Sequence, residues 1–360
     1  MPDDPRQDPQ RAAKHSGDGE TRGTVLVALL ANVVIAAAKV VGGVVAASPA
    51  LLSEAAHSVA DSLNEVFLLA SLSRSRRRPD ARHPFGYGKE RYFWSMLAAV
   101  GIFVTGGCFS FYQGLHTLLG PGGANTEAYP VVYVVLLVAL AAEGSSLLRA
   151  ARQVYRQARR LGRSFGRQLR EGDDPTVRTV VAEDSTAVLG VLLAIAGVWL
   201  HQATGRPGWE GVASLAIALL LMYVAYRLGR DAKDLLVGQA ADPALQREAY
   251  RFLSRQAEID TVGQLLTMRL GMDSALLAAR VDLYRGLDSE DLEEVSGRIK
   301  RELHEQCPQF DQVFLDIADA DREARRRAER HRAELDGAER ERAERERAAR
   351  PPDSPGAPEG

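Results

Sequence analysis

The sequence predicts an α-helical membrane protein with a small soluble α+β domain after its last membrane helix. Apolar runs of about 20 residues are long enough to cross a bilayer. Six such runs occur, at 24–46, 51–72, 93–117, 130–148, 177–201 and 209–227. Beyond them the chain alternates short helical and strand patterns. A total of 26% charged residues hides this division, because it averages an apolar part with a charged part.

Basic residues are concentrated in two of the connections between these runs. Arginine and lysine occupy seven positions from 74 to 91 and eight from 149 to 170, whereas the other three connections contain only Arg206. Cytoplasmic loops carry the excess of basic residues in membrane proteins. We therefore expect the second and fourth connections, and with them both termini, to be cytoplasmic.

Four segments follow from these patterns. They are a disordered tail at 1–22, a six-helix membrane domain at 23–228, a cytoplasmic domain at 229–320, and a charged helical or disordered tail at 321–360. The last tail mixes arginine, glutamate and alanine with almost no apolar face, which is typical of a solvated segment. Its glutamates nearly cancel its arginines, so the sequence argues against nucleic-acid binding.

The cytoplasmic domain has the order helix, strand, strand, helix, strand. The two strands form a hairpin around Gly271-Met272-Asp273, and Asp288 is expected to cap the second helix. The expected elements are 244–257, 262–270, 275–284, 289–303 and a final strand through Val313, Leu315 and Ile317.

The second apolar run contains His57 and Asp61 in its middle. A carboxylate near the bilayer centre costs about 2.5 to 3.5 kcal/mol on insertion scales, so such a group is usually functional. Four residues of helix return a side chain to the same face, so the imidazole and the carboxylate can converge on one cation. Asn64 extends the same stripe by another turn.

The fifth run adds two adjacent acids, Glu183 and Asp184, in its first turns. Neighbours on a helix point about 100° apart, so both cannot face one point equally well. Asp184 is our first choice as a ligand and Glu183 our second. Together with His57 and Asp61 they form a predicted metal site. Imidazole with carboxylates suits zinc, and the same donors also accept manganese, iron or cobalt.

Several segments resemble the cation diffusion facilitators, and most closely their zinc transporter nine subgroup. The resemblance covers roughly residues 22–318 and rests on LLSEAAHSVADSLN, HPFGYGKERYFW, DPTVRTVVAEDSTAVLG and LLVGQAADP. It implies a homodimeric antiporter with a tetrahedral transport site between the second and fifth helices and a ferredoxin-like cytoplasmic domain. It also implies that His57 and Asp61 occupy the two ligand positions of the second helix and Asp184 the second ligand position of the fifth.

The sequence departs from this family pattern at the transport site and outside it. Val180 stands where many relatives have a histidine, which leaves Glu183 as the substitute ligand. An accessory metal site built from one aspartate and two histidines would use Asp80 and His83, but Tyr87 replaces the last histidine. We therefore expect that site to be weak or absent.

The end of the cytoplasmic domain departs from the pattern too. Asp316 stands where some relatives have a histidine, and Ala318 where they have an aspartate. We therefore expect no regulatory metal cluster there. The two cysteines, Cys108 and Cys307, form neither a CxxC metal site nor a disulfide framework.

The predicted function is zinc efflux from the cytoplasm by proton antiport, without a cofactor. The partners are the cation, protons, the lipid bilayer and a second copy of the chain. With no evident organelle-targeting leader, the cell membrane is the expected location. The alternatives are export of manganese, iron or cobalt, an intramembrane metalloenzyme, and a metal sensor. An enzyme is disfavoured because the sequence has no HExxH motif and no identifiable nucleophile.

Overall fold

The computed structural model describes residues 29–120, 128–160, 164–166, 175–284 and 289–319, with isolated positions from 323 to 337. The chain divides into two compact units. The helical unit comprises the described residues up to Arg77 together with Glu90–Asp234, and the sheet unit comprises Arg78–Lys89 and the described residues from Leu235 onward. The predicted tail at 1–22 lies outside the described residues, and so does the predicted tail at 321–360 apart from the isolated positions between 323 and 337.

Long helices make up the helical unit. They are α1 (Leu29–Ala46), α2 (Pro49–Arg74), α3 (Glu90–Leu119), α4 (Tyr129–Arg160), α5 (Pro175–Thr204) and α6 (Gly208–Val237). Among the described residues, five helices are long and apolar enough to cross a membrane: α1, α3, α4, α5 and α6. The predicted helical membrane domain is therefore confirmed. That α2 is a further span, which would make six, stays a prediction.

The second helix, α2, differs from the other five because of its polar side chains. At 26 residues it is long enough to span a bilayer. It begins after Ser48, whose hydroxyl accepts a hydrogen bond from the Leu51 amide, and Pro49 occupies its first turn, where a missing N–H costs nothing. Its acidic and amide residues lower its apolar character, and the same residues form the candidate site.

Glycines allow α3 to pack closely against α6. The middle of α3, Ile102–Cys108, is a π-helical segment, and Gly106 and Gly107 lie within it. A Cβ atom at Gly106 would lie 2.8 Å from the Leu221 side chain of α6, so a larger residue would separate the two helices. Small residues at contacts between membrane helices have this role in general.

The sheet unit contains α7 (Pro243–Ser254), β1 (Ile259–Arg269), β2 (Ala275–Leu283), α8 (Ser289–Gln306) and β3 (Phe310–Ile317). The strands form one sheet in the order β1-β2-β3, with β1 antiparallel and β3 parallel to β2. The parallel pair requires the crossover that α8 supplies. The observed order of elements matches the predicted order.

Apolar residues of α7, α8 and the strands form the core of the sheet unit, including the fully buried Leu253, Leu277, Ile299 and Phe310. The hairpin between β1 and β2 closes where the amides of Leu270 and Gly271 bond the Ser274 carbonyl, as the turn signal predicts. Asp288, the expected helix cap, lies outside the described residues. The ferredoxin-like class stays a prediction.

Candidate metal site in the helical unit

The α2 helix brings His57 and Asp61 together on one face. The distance from His57 Nε2 to Asp61 Oδ2 is 3.2 Å. The His57 side chain is 5% exposed and that of Asp61 is 41% exposed, so the pair runs from the interior toward the surface of the unit. A shared proton or a cation can lie between these two atoms, because each presents a lone pair when deprotonated.

The other ring nitrogen of His57 faces a second carboxylate of α2. Glu54 Oε1 lies 3.9 Å from His57 Nδ1, and neither atom has a hydrogen-bond partner although both are buried. Buried polar atoms without a partner are rare in proteins, and each one calls for an explanation. Glu54 Oε1 and His57 Nδ1 are two such atoms.

A buried lysine holds Glu54 in place. Lys39 of α1 donates to Glu54 Oε2 at 3.0 Å, to Ser58 Oγ at 2.8 Å and to Glu143 Oε1 of α4 at 2.9 Å. Its three N–H groups therefore have three acceptors on α2 and α4. We call Lys39, Glu54, His57, Ser58 and Glu143 the central cluster.

The α5 helix contacts the central cluster through a glycine. A Cβ atom at Gly190 would lie 2.3 Å from Glu54 Oε1 and 3.4 Å from His57 Nδ1. The carboxylate of Glu54 therefore occupies the space that any larger residue at this position would need. Gly190 lies seven residues after Glu183, and that spacing places both on nearly the same stripe of the helix.

The two acids of α5 face different helices. Asn64 of α2 donates to Glu183 Oε1 at 3.5 Å, whereas Asp184 lies near Ser146 and Arg149 of α4 and has one buried oxygen without a hydrogen-bond partner. Glu183 therefore lies on the side of α2 and Asp184 on the side of α4. This divergence is the result expected for adjacent residues of one helix.

The structure thus brings His57 and Asp61 together and places both Glu183 and Asp184 in electrostatic range of Asp61. Among the described residues, no group of three histidine, cysteine or acidic side chains is gathered closely enough to hold a metal ion. The four-residue site of His57, Asp61, Asp184 and Glu183 stays a prediction. Val180 lies in α5, and its side chain is outside the described part of the structure.

A second buried polar group lies at one end of the bundle. His201 Nδ1 lies 2.7 Å from Glu210 Oε1 and 2.8 Å from the Tyr129 hydroxyl, and Ser48 donates to the other oxygen of Glu210. These four residues, the end cluster, join the α1–α2 turn to the ends of α4, α5 and α6. Sequence reasoning missed them, because each lies at the edge of an apolar run, where polar residues are common.

One feature of the sequence indicated the central cluster: Lys39 is the single lysine inside the first apolar run. A buried lysine requires a partner, and an acid inside the bundle is the natural choice. The sequence did not identify the acids that pair with Lys39, because Glu54 and Glu143 lie on other helices.

The predicted accessory residues form a hydrogen-bonded loop in the sheet unit. Asp80 Oδ2 accepts a hydrogen bond of 2.6 Å from the Tyr87 hydroxyl, and Oδ1 accepts from the amides of Arg82 and His83. The bond from Tyr87, followed by those from the amides, lowers the pKa of Asp80 below its ordinary value. Tyr87 thus bonds one oxygen of Asp80, while His83 Nδ1 lies 3.5 Å from the other; the weak or absent accessory metal site stays a prediction.

Asp316, at the end of β3, forms an ion pair with the neighbouring strand. Asp316 Oδ2 accepts from Arg280 Nε of β2 at 2.7 Å, which makes a cross-strand ion pair on the exposed side of the sheet. Burial raises the pKa of the Cys307 thiol to about 11. The cysteine therefore stays protonated at neutral pH and is a poor metal ligand.

A bundle of long apolar helices that encloses an imidazole and carboxylates is typical of membrane proteins that move ions or protons. The family follows from comparison. The model of the cation efflux transmembrane domain matches residues 25–237, more than half of the chain, so the chain belongs to the cation efflux family. Members of this family are transporters and not enzymes, and the metal is their substrate rather than a cofactor.

Relatives whose names mention different metals match the chain. The proton-coupled zinc antiporter SLC30A9, mitochondrial, of Homo sapiens is 29% identical over 293 residues, 81% of this chain and 49% of that protein. Metal tolerance protein C4 of Arabidopsis thaliana is 32% identical over 266 residues, 74% of this chain and 58% of that protein. The manganese efflux system protein MneP of Bacillus subtilis is 25% identical over 304 residues, 82% of this chain and 95% of that protein. The chain spans about half the length of the human relative.

Proposed function

We propose that this chain exports zinc from the cytoplasm in exchange for protons. The observation that carries the proposal is the His57–Asp61 pair, which is directed into the bundle from a helix that packs against α5 at Gly190. Support also comes from the human relative, whose name describes a proton-coupled zinc antiporter. Imidazole and carboxylate are ligands that zinc accepts.

In this proposal His57, Asp61, Asp184 and Glu183 bind the cation. Glu183 already lies on the side of α2, so it supplies the contribution of α5 in the conformation described here. Asp184 replaces or joins it after a rotation of α5 about its axis, because the two residues point about 100° apart. Rigid-body movement of helices around a central site is the usual basis of alternating access.

Coupling to protons follows from the atoms that bind the cation. Metal binds neutral imidazole and ionised carboxylate, so loading the site releases protons. A cation and the proton between His57 Nε2 and Asp61 Oδ2 compete for the same two lone pairs, which are 3.2 Å apart. Protons that enter from the outer side then displace the cation. The outward direction comes from the family and not from any distance.

The organisation we propose has α2 as the sixth span, both termini in the cytoplasm, a ferredoxin-like soluble domain and a homodimer. Basic residues in the second and fourth connections support this orientation. We propose the cell membrane as the location, whereas the human relative is named a mitochondrial protein.

Manganese is the second candidate substrate. One relative is named a manganese efflux system protein, and three of the four proposed ligands are carboxylates, which suit manganese as well as zinc. The two candidates share one site and one mechanism, and they differ only in cation preference.

Flux measurements in liposomes test both candidates. Purified protein is reconstituted, a pH gradient is imposed, and uptake of zinc and of manganese is followed separately. We expect saturable zinc flux with opposite proton movement, and its loss in His57→Ala and Asp61→Ala protein that is folded and inserted. Wild-type flux in both variants would contradict the proposed site. Manganese flux that exceeds zinc flux would favour the second candidate.

A further inference from the structure

The free oxygen of Glu54 and the free nitrogen of His57 face each other in the interior of the helical unit. They are Glu54 Oε1 and His57 Nδ1, 3.9 Å apart, and both are buried without a partner. The remaining atoms of both side chains are engaged, since Glu54 Oε2 binds Lys39 and His57 Nε2 faces Asp61. A small rotation of the imidazole brings the two free atoms within hydrogen-bond distance.

We infer that Glu54 is a positioning residue for the cation site, accepting a hydrogen bond from His57 Nδ1–H so that Nε2 presents its lone pair to the cation. The inference rests on the proposed function. A histidine that binds metal through one ring nitrogen almost always donates its other N–H to a carboxylate, a carbonyl or water. That bond fixes the tautomer and the orientation of the ring.

Lys39 gives this arrangement its rigidity. It holds Glu54 Oε2 at 3.0 Å and is itself fixed by Ser58 and Glu143. Movement of the Glu54 carboxylate would therefore weaken a buried ion pair, and this cost keeps Oε1 directed toward His57 until a clash forces it aside. Lys39, at the far side of Glu54, thus acts on the cation site without touching the cation.

Gly190 supplies the space that the arrangement requires. A Cβ atom there would lie 2.3 Å from Glu54 Oε1, closer than any real contact, but the obstacle is the end of a flexible side chain. Gly190→Ala therefore displaces the free oxygen of Glu54 and removes no polar group. This substitution tests the geometry independently of charge.

Two matched pairs of variants isolate the role of Glu54. Glu54→Gln and Glu143→Gln each neutralise one of the two acids bound to Lys39, and of these two acids Glu54 is the one with an oxygen within 4 Å of a His57 ring nitrogen. Gly190→Ala and Gly197→Ala each add a methyl group in a tight contact of α5, but Gly197 faces Ala213 and Trp209 of α6 instead. Gly197→Ala is expected to cost more in folding than Gly190→Ala, because Ala213 Cβ and the α6 backbone cannot move aside as the end of the Glu54 side chain can.

The measurements are the KM and maximal rate of zinc flux in liposomes and the zinc Kd of the detergent-purified chain. We expect Glu54→Gln and Gly190→Ala to raise KM and Kd about 10- to 100-fold, as loss of an outer partner of a metal ligand does. The maximal rate, and both control variants, should change much less. Monodisperse elution shows that each variant is folded.

Unchanged KM and Kd in Glu54→Gln and Gly190→Ala, with wild-type zinc flux present, would overturn this inference alone. Equal effects of Glu54→Gln and Glu143→Gln would overturn it too, because charge balance at Lys39 would then explain both. Absence of cation flux in the wild-type chain would overturn the proposed function, and this inference with it.

Discussion

The central cluster and the end cluster bury similar chemistry, a carboxylate beside an imidazole, but they differ in how completely their atoms are bonded. In the end cluster His201 contacts both Tyr129 and Glu210, and Ser48 binds the second oxygen of Glu210. All four residues belong to the described part of the chain, and none has a buried side-chain atom without a partner. In the central cluster, atoms of Glu54, His57 and Glu143 lack one.

This difference separates a structural role from a functional one. A buried polar atom without a partner costs about 1–3 kcal/mol, so a protein that keeps several in one place uses them for something other than stability. A fully bonded network instead ties elements together. We therefore assign the end cluster to holding helix ends and the central cluster to supporting the cation site.

Glu210→Ala should have the largest effect on stability. The substitution leaves His201 and Ser48 buried without their acceptor, and breaking a buried pair costs about 3–5 kcal/mol. Thermal unfolding in detergent measures the loss. The control is Gln202→Ala, which removes an exposed hydrogen bond from Tyr133 and should change stability by less than about 0.5 kcal/mol. Unchanged stability in Glu210→Ala would contradict the assigned role.

Asp61→Asn should change zinc flux strongly and stability little. Its carboxylate is 41% exposed and asparagine keeps an acceptor for His57, so stability should change little. Zinc flux should fall at least about 100-fold, because a direct ligand contributes no less than its outer partners, which are worth up to about that factor. Glu65→Gln is the control, since Glu65 lies one turn away and binds Asn32. Equal losses of flux in Asp61→Asn and Glu65→Gln would mean that the total negative charge on this face of α2, rather than Asp61 itself, supports transport.

Tyr87→Phe should have the smallest effect. The hydrogen bond from Tyr87 is the first cause of the lowered pKa of Asp80, so its removal should raise that pKa toward the ordinary value of 3.8. A carboxyl group with a lowered pKa stabilises the fold above its ordinary pKa, and this contribution disappears as pH falls through the lowered value. The variant should therefore lose stability only where Asp80 is ionised, and a carboxyl NMR titration measures the shift. An unchanged pKa would show that the amides of Arg82 and His83 suffice.

Much of the fold could be predicted because hydropathy and helix periodicity are local properties. The expected runs fall within the observed helices, except that the first begins before the described residues. Polar residues extend α4 to Arg160 and α6 to Val237. The α2 pair was predictable too, since the spacing of His57 and Asp61 alone places them on one face.

The rest of the site depends on how helices pack, which local patterns do not determine. The sequence favoured Asp184 over Glu183; in the structure Asn64 of α2 donates to Glu183, both acids lie in electrostatic range of Asp61, and the preference stays a prediction. The seven-residue spacing between Glu183 and Gly190 was the sequence feature that could have indicated which side of α5 faces α2. A glycine in a membrane helix often marks a close contact between helices, and Glu183 lies on the same stripe. The partners of Lys39 come from two other helices and could not be deduced from its own surroundings.

Locating zinc in the helical unit tests the central claim most directly. A structure of the zinc-loaded protein should show the metal bound to His57 Nε2 at about 2.0–2.1 Å and to an Asp61 oxygen at about 2.0–2.2 Å. The same structure should show Nδ1 of His57 within hydrogen-bond distance of Glu54. Zinc bound elsewhere, with His57 and Asp61 still paired with each other, would contradict the account.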